Sequence, residues 1–181
     1  MPDPIIVVPY DSQWKVEFLE IGRIIRNSLG SIAIRIDHIG STSIEGLDAK
    51  PIIDIQVSVA SLEPIEFYKQ LFGNIGFHHR ADNIDRSKRY FRETTGSKRV
   101  HIHVRESGGF SEQFALLFRD YLRVHSGDCR RYADTKYKLM ELYRNERDKY
   151  VEEKGTIIWD IMRSASNWSQ EIGWKPGKTD I

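Results

Sequence analysis

The stretch HIGSTSIEGLDAKPIIDIQVSV, residues 38–59, joins a Gly-Ser turn to an apolar strand that carries one aspartate. Along this strand, one face consists of Ile53, Ile55, Val57 and Val59, and the other of Ile52, Asp54, Gln56 and Ser58. Such period-two alternation predicts a strand with one face in the core and the other toward water. We therefore expect Asp54 to point away from the main core.

The turn before this strand has two interpretations. It consists of Gly40, Ser41, Thr42 and Ser43. A glycine lets the backbone come close to a ligand, and hydroxyl groups with the amides of a following helix N-terminus can hold a phosphate. Alternatively, Thr42 with Glu45 three residues later matches a capping box, which begins a helix and needs no ligand.

Asp54 is a candidate metal ligand. In metal-dependent nucleotidyl transfer, two acids at i and i+2 of a strand hold the ions, but here Gln56 stands at the second position. The other interpretation is a sheet acid paired with Lys50 or Arg35, because an acid in an apolar strand costs free energy unless it is paired or coordinated. Lys50 precedes Pro51, which holds it extended beside the strand, so its ammonium either neutralises a phosphate or lies in water.

A second polar strand follows in the segment KRYFRETTGSKRVHIHVRE, residues 88–106, which predicts a hairpin with a Gly-Ser-Lys turn. His101 and His103 lie at i and i+2, so both imidazoles share one face. If this strand neighbours the strand of Asp54, the group is two histidines and one carboxylate, which suits manganese, iron or zinc better than magnesium. The alternative is a pair of imidazoles on a wet sheet surface.

The segment FRDYLR, residues 118–123, offers three charged side chains on a predicted helix. Asp120 and Arg123 lie at i and i+3, a spacing that favours an ordinary surface ion pair. Arg119 is retained as a candidate phosphate contact.

The remaining pattern predicts an α+β fold. Apolar residues at helical spacing predict a helix that ends at Gly30, a second helix that opens near Ser61, and three helices from Ser111 onward. Ile32, Ile34 and Ile36 alternate with polar or small residues and predict another strand. Strands come first and helices last, so we expect a small mixed β-sheet flanked by helices, with a C-terminal helical layer.

Length and composition indicate one domain, spanning residues 1–181, with a loose tail from about residue 173. The 181 residues carry 27 Lys and Arg against 26 Asp and Glu, so no overall field favours nucleic acid or an anionic membrane. Cys129 is the one cysteine, which excludes an internal disulfide and favours a reducing, cytoplasmic location. The apolar runs are far shorter than the roughly 20 residues of a spanning helix.

Taken together, VVPYDSQW, HIGSTSIEGLDAKPIIDIQV, HIHV and FRDYLR resemble the GrpB-like family, over roughly Val7 to Ala165. Members of that family are similar to the nucleotidyltransferase superfold typified by polymerase β and minimal antibiotic nucleotidyltransferases. The resemblance implies a nucleotide site between the Gly-Ser turn and the aspartate strand. It equates Gly40 and Ser41 with the glycine-serine signature of the superfold, and Asp54 with its first metal carboxylate.

This resemblance implies two functions. The first is a metal-dependent nucleotidyltransferase acting on an unidentified small acceptor, with a nucleoside triphosphate as ligand and manganese or magnesium as cofactor. In it, Gly40 to Ser43 with Arg119 hold the nucleotide, Asp54 with His101 and His103 hold the metal, and Asp54 and Lys50 act in catalysis. The second is a non-catalytic nucleotide- or metal-binding module on the same fold.

Overall fold

The computed structural model describes residues 4–181, which form five strands and five α-helices. The strands are β1 (Arg35–Ile39), β2 (Ile53–Val59), β3 (Phe77–His79), β4 (Lys88–Glu93) and β5 (Val100–Glu106). The helices are α1 (Gln13–Leu29), α2 (Ile65–Asn74), α3 (Phe110–Val124), α4 (Ser126–Leu142) and α5 (Arg147–Ile172). None of the helices in this part of the chain is long and apolar enough to cross a membrane.

The strands form one mixed sheet in the order β1-β2-β5-β4-β3. β2 and β5 pair in parallel, and every other neighbouring pair is antiparallel. The predicted hairpin is confirmed as β4 and β5, whereas the short strand β3 was not predicted. The α+β class, the mixed sheet and the C-terminal helical layer are all confirmed.

Two apolar clusters hold the layers together. The apolar faces of β2 and β5 pack against α1 and α2, and α1 contributes Trp14, Phe18, Ile25 and Leu29 at helical spacing. A second cluster lies among α3, α4 and α5 and includes Phe118, Leu122, Tyr132 and Ile161. The polar faces of β2 and β5 are turned away from the first cluster, which is what the alternation predicts.

The expectation that the whole polar face of β2 is wet is wrong. Gln56 and Ser58 are fully buried, because α3 packs over this end of the sheet, whereas the side chain of Asp54 is 27% exposed. A strand covered by helices on both sides buries polar side chains that must find partners inside the protein. Only the start of β2 therefore keeps an accessible polar face.

The strand around Ile36 also begins later than predicted. Residues 30–32 form a 3₁₀ turn, and β1 starts at Arg35, so Ile32 and Ile34 lie at the surface. The alternation of isoleucines therefore overstated the length of this strand by several residues.

The tail after residue 173 was expected to be loose, and the structure corrects this. The backbone amide of His38 donates to Asp180 Oδ2 at 2.9 Å, and the amide of Ile36 donates to Thr179 Oγ1 at 2.9 Å. The amide of Ile181 donates in turn to the carbonyl of Ile36 at 3.2 Å. The tail thus runs alongside β1, a docking that local composition does not reveal.

Candidate functional site

The register of β2 and β5 brings the predicted metal ligands together. Asp54 pairs with His101 and Gln56 with His103, so the polar side chains of both strands project from the same face. Asp54 Oδ1 lies 3.4 Å from His101 Nδ1 and 3.1 Å from His103 Nε2. One ligand atom from each of the three residues lies within 4.8 Å of the other two. The three residues could therefore hold one metal ion.

The surroundings of this centre suit a nitrogen-rich metal site. The side chains of His101 and His103 are 12% and 13% exposed, and the ring of Tyr90 packs against both. His101 Nε2 and His103 Nδ1 are buried, and neither has a hydrogen-bond partner among residues 4–181. Two imidazoles and a carboxylate favour manganese, iron or zinc over magnesium, which prefers oxygen ligands.

The ionisation states at neutral pH are those that coordination needs. Burial by itself would raise the pKa of Asp54, but hydrogen bonds from His101 and His103 outweigh it and lower that pKa far below its usual range. Burial lowers the pKa of His103 to about 4, against the opposing pull of Asp54. At pH 7 the protein therefore presents an ionised carboxylate and a neutral imidazole without having to release a proton.

At Gly40, the backbone of the turn comes close to the carboxylate of Asp54. The φ of 70° and ψ of −174° of Gly40 lie in a region that only glycine adopts readily. A Cβ at this position would lie 2.7 Å from Asp54 Oδ2. The backbone of the turn and the carboxylate are thus in direct contact, and glycine is required on both grounds.

The hydroxyl groups of the turn have different partners. Thr42 Oγ1 donates to the carbonyl of Ile52 at 3.0 Å, and Ser43 Oγ donates to the carbonyl of Gly40 at 2.6 Å. Both hold the turn in shape. The capping-box interpretation is wrong, because residues 41–43 form one 3₁₀ turn that no α-helix continues. Ser41 lies beside the hydroxyl of Tyr132 on α4.

Two largely buried lysines lie near aromatic rings of α4 and α5. Lys50 Nζ lies 4.9 Å from the ring centre of Tyr150, and burial together with Lys154 and Arg147 lowers the pKa of Lys50 to about 8. Lys136 is 2% exposed, and burial lowers its pKa to about 7, with a further lowering by Lys154. A phosphate placed beside either lysine would raise its pKa and favour the charged ammonium.

Sequence reasoning missed Lys136 as a candidate. Its Nζ donates to the carbonyl of Asp48 and lies 4.5 Å from the ring centre of Tyr132. On the sequence, Lys136 is one of many charged residues on an amphipathic helix, and only the packing of α4 against the turn distinguishes it. The spacing of Tyr132 and Lys136, one helical turn apart, is the one available signal.

Two predicted neighbours of the centre belong elsewhere. Gln56 Oε1 accepts a hydrogen bond from Arg105, and Gln56 Nε2 lies 3.4 Å from the carbonyl of Glu112, so both ends of this side chain have protein partners. Arg119 is 3% exposed and lies 3.5 Å from Asp37, 2.8 Å from Asp120 and 3.1 Å from Asp180. The structure corrects the assignment of Arg119 as a nucleotide contact, because a buried guanidinium with three carboxylates has no place for a phosphate.

The expected surface pair of Asp120 and Arg123 is weak. Arg123 Nη1 lies 4.0 Å from Asp120 Oδ1, while Arg123 Nη2 donates to the carbonyl of Ser43 at 2.9 Å. Arg123 therefore supports the Gly-Ser turn from α3.

Comparison with known proteins shows several relatives. A family model described as "GrpB protein" matches residues 4–164. The UPF0157 protein SCO7215 of Streptomyces coelicolor is 35% identical over 86% of this chain and 81% of its own length. The UPF0157 protein YqkA of Bacillus subtilis is 32% identical over 91% of this chain, and a dephospho-CoA kinase of Mycobacterium tuberculosis is 31% identical over 96%. This chain spans about half the length of the latter two proteins, at 48% and 49%.

Solved structures support the fold. The crystal structure of the conserved protein GrpB from Enterococcus faecalis is 30% identical, with a TM-score of 0.82 over 90% of this chain and 99% of that one. A Cid1 poly(U) polymerase structure with bound MgGTP has a TM-score of 0.51 and 14% identity, over 72% of this chain and 44% of that one. The second likeness shows a nucleotidyltransferase-like fold and no more. The match of the family model over most of the described chain, with the relatives above, makes this protein a member of the GrpB family.

Proposed function

We propose that this protein is a metal-dependent nucleotidyltransferase that acts on an unidentified small acceptor. One observation carries the proposal: Asp54, His101 and His103 offer ligand atoms within 4.8 Å of one another, directly against the Gly40 backbone. A metal centre joined to a glycine turn is the arrangement that transfer of a phosphoryl-linked nucleotide needs. The nucleotidyltransferase-like fold supports it.

The residues of the site have distinct roles in this proposal. A divalent ion, when bound by Asp54, His101 and His103, would supply charge neutralisation and alignment of the reacting phosphate. Gly40 allows close approach of the backbone, and the Ser41 hydroxyl faces the nucleotide, while Thr42 and Ser43 keep the turn in shape. Lys50 and Lys136 offer positive charge for phosphate groups bound at the site.

The proposed substrates are a nucleoside triphosphate and a small molecule rather than a nucleic acid. A formal net charge of +1 gives the chain no overall positive field to attract a polyanionic polymer. We propose a cytoplasmic location, because Cys129 is a free, partly buried thiol and nucleoside triphosphates are cytoplasmic metabolites.

One observation favours a second candidate, a non-catalytic nucleotide- or metal-binding module. Gln56 stands where the superfold has its second acid and is hydrogen-bonded to Arg105. Two-metal catalysis relies on ligands for both ions, so a chain with a single carboxylate can keep the pocket without the reaction.

Titration calorimetry with Mn²⁺ and Mg²⁺ tests the centre. Wild-type protein should bind Mn²⁺ more tightly than Mg²⁺, and Asp54→Asn should lose most of the affinity. Asp148→Asn, at the exposed start of α5, is the matched control and should bind as the wild type does. Equal affinity in Asp54→Asn would refute the metal site.

A screen of nucleoside triphosphates with Mn²⁺ then separates the two candidates. Pyrophosphate release in the presence of small hydroxyl or amine acceptors, absent in Asp54→Asn, identifies the transferase. Nucleotide binding without pyrophosphate release across the screen identifies the module.

A further inference from the structure

A cavity of about 590 Å³ beside the metal centre collects positive charge. Its walls come from residues 4–5, the segment before β2, β3, β4, the β4–β5 connection and the start of α5. Among residues 4–181, the cationic side chains that line it are Lys50, Arg80, Arg92, Arg99 and Arg147, and Glu93 carries the one lining carboxylate. In a chain with a formal net charge of +1, this concentration is a local feature.

The sheet register locates the cavity relative to the metal centre. Across the strands, Asp54 pairs with His101, His101 with Arg92, and Arg92 with His78, so these side chains form one row on one face. The Gly40 turn follows β1, on the other side of Asp54. The metal centre therefore lies between the turn and the basic cavity.

The charges in the cavity are only partly compensated. Glu93 lies 2.9 Å from Arg92 and 3.4 Å from Arg99, and Arg80 pairs with Asp82 at 2.9 Å. Within residues 4–181, neither Lys50 nor Arg147 has a carboxylate partner, and the buried Nε of Arg92 has no hydrogen-bond acceptor. A buried donor without an acceptor costs free energy, which a bound anion would recover.

We propose that this cavity binds a phosphate group of the acceptor, so that the acceptor is a phosphorylated small molecule. The inference rests on the proposed transferase function and specifies its substrate class. Guanidinium groups bind phosphate through paired hydrogen bonds, and several of them suit a dianion. β5 lies between β2 and β4, so two strand spacings, about 10 Å, separate β2 from β4. A small phosphorylated metabolite can span this distance between its phosphate and its reactive group.

The first test uses inorganic pyrophosphate as the probe, titrated calorimetrically into metal-free, full-length protein. Arg147→Ala and Arg92→Gln should each weaken binding by about tenfold, the loss expected for one charged hydrogen bond. Arg163→Ala, on the exposed face of α5, is the matched control and should bind as the wild type does. Undetectable binding to the wild type, or equal binding by both cavity variants, would overturn the proposal.

The second test separates the acceptor from the nucleotide as the source of the phosphate. Protein saturated with Mn²⁺ and a non-hydrolysable nucleoside triphosphate analogue should still bind pyrophosphate, and Arg147→Ala should still weaken that binding. Displacement of pyrophosphate by the analogue would assign the cavity to the nucleotide's own phosphates and overturn the acceptor assignment. If the analogue does not bind at all, the proposed function fails together with the acceptor assignment, whereas the pyrophosphate titrations still decide whether the cavity holds phosphate.

Discussion

His103 Nε2 lies 3.1 Å from Asp54 Oδ1, although 49 residues separate the two in the chain. The contact follows from the parallel pairing of β2 with β5, which places each residue of one strand beside a fixed partner of the other. A slip of one residue in this register would turn His101 and His103 to the opposite face and abolish the centre. The candidate site is thus a property of the sheet pairing.

The contact between Gly40 and Asp54 predicts that Gly40→Ala lowers metal affinity by more than tenfold. The added Cβ would lie 2.7 Å from Asp54 Oδ2 and force the carboxylate to move. Gly46→Ala is the matched control, because Gly46 also has a positive φ, of 76°, but its Cβ would meet no atom within 4 Å. Mn²⁺ titration of the two folded variants checks the prediction, and similar losses in both would show that backbone strain alone is responsible.

Gln56→Glu should leave metal affinity within about twofold of the wild type. The new carboxylate would pair with Arg105, which already donates to Gln56 Oε1, and a charge-assisted pair is stronger than a neutral hydrogen bond. In the double variant Gln56→Glu, Arg105→Gln, the new carboxylate at residue 56 no longer has an arginine partner, so Mg²⁺ affinity should rise. A rise in the single variant would place residue 56 beside the ion after all.

Arg119→Gln should destabilise the fold without affecting nucleotide binding. Arg119 lies 3.5 Å from Asp37, whose side chain is fully buried, and breaking a buried ion pair costs about 3–5 kcal/mol. Arg35 still pairs with Asp37 at 2.9 Å, so we expect the lower end of that range. Urea unfolding measures the loss, and Arg163→Gln, at a side chain that is 78% exposed, should be neutral. A weaker nucleotide affinity in folded Arg119→Gln would return Arg119 to the site.

The lowered pKa of Lys136 predicts that the free energy of unfolding rises with pH. Its pKa in the folded protein is lowered to about 7, from 10.5, so between these values the unfolded chain binds more protons than the folded one. The cost of the buried ammonium is therefore present below about pH 7 and is relieved as pH rises toward 10.5, by up to about 1.4 kcal/mol per unit. Unfolding free energies at pH 7 and pH 9 should differ less in Lys136→Met than in the wild type. Equal pH dependence would contradict the shift.

The grouping of Asp54, His101 and His103 was predictable from the sequence, because strand alternation fixes which side chains share a face. Asp54 on one strand, and His101 and His103 on the other, needed only the assumption that the two strands are neighbours. The surroundings were not predictable. Nothing local indicates that α3 buries Gln56.

The cations of the helical layer and of the cavity also escaped the sequence analysis. Lys136 and Arg147 are separated from Asp54 by tens of residues, and exposed lysines and arginines are common on helices. Their significance comes from the packing of α4 and α5 against the turn and the sheet, which is a tertiary property. Arg119 was misjudged for the same reason, because its carboxylate partner Asp180 belongs to the tail.

The docking of that tail covers the outer edge of the sheet at β1. β1 is an outermost strand, and an outermost strand with open amides and carbonyls is a template onto which a second copy can add its own strand. The groups of Ile36 and His38 that face outward are instead occupied by Thr179, Asp180 and Ile181. Removal of residues 178–181 would expose the backbone groups of Ile36 and His38 at this edge. The shortened protein should therefore form intermolecular β-sheet and precipitate at concentrations where the 181-residue chain stays in solution.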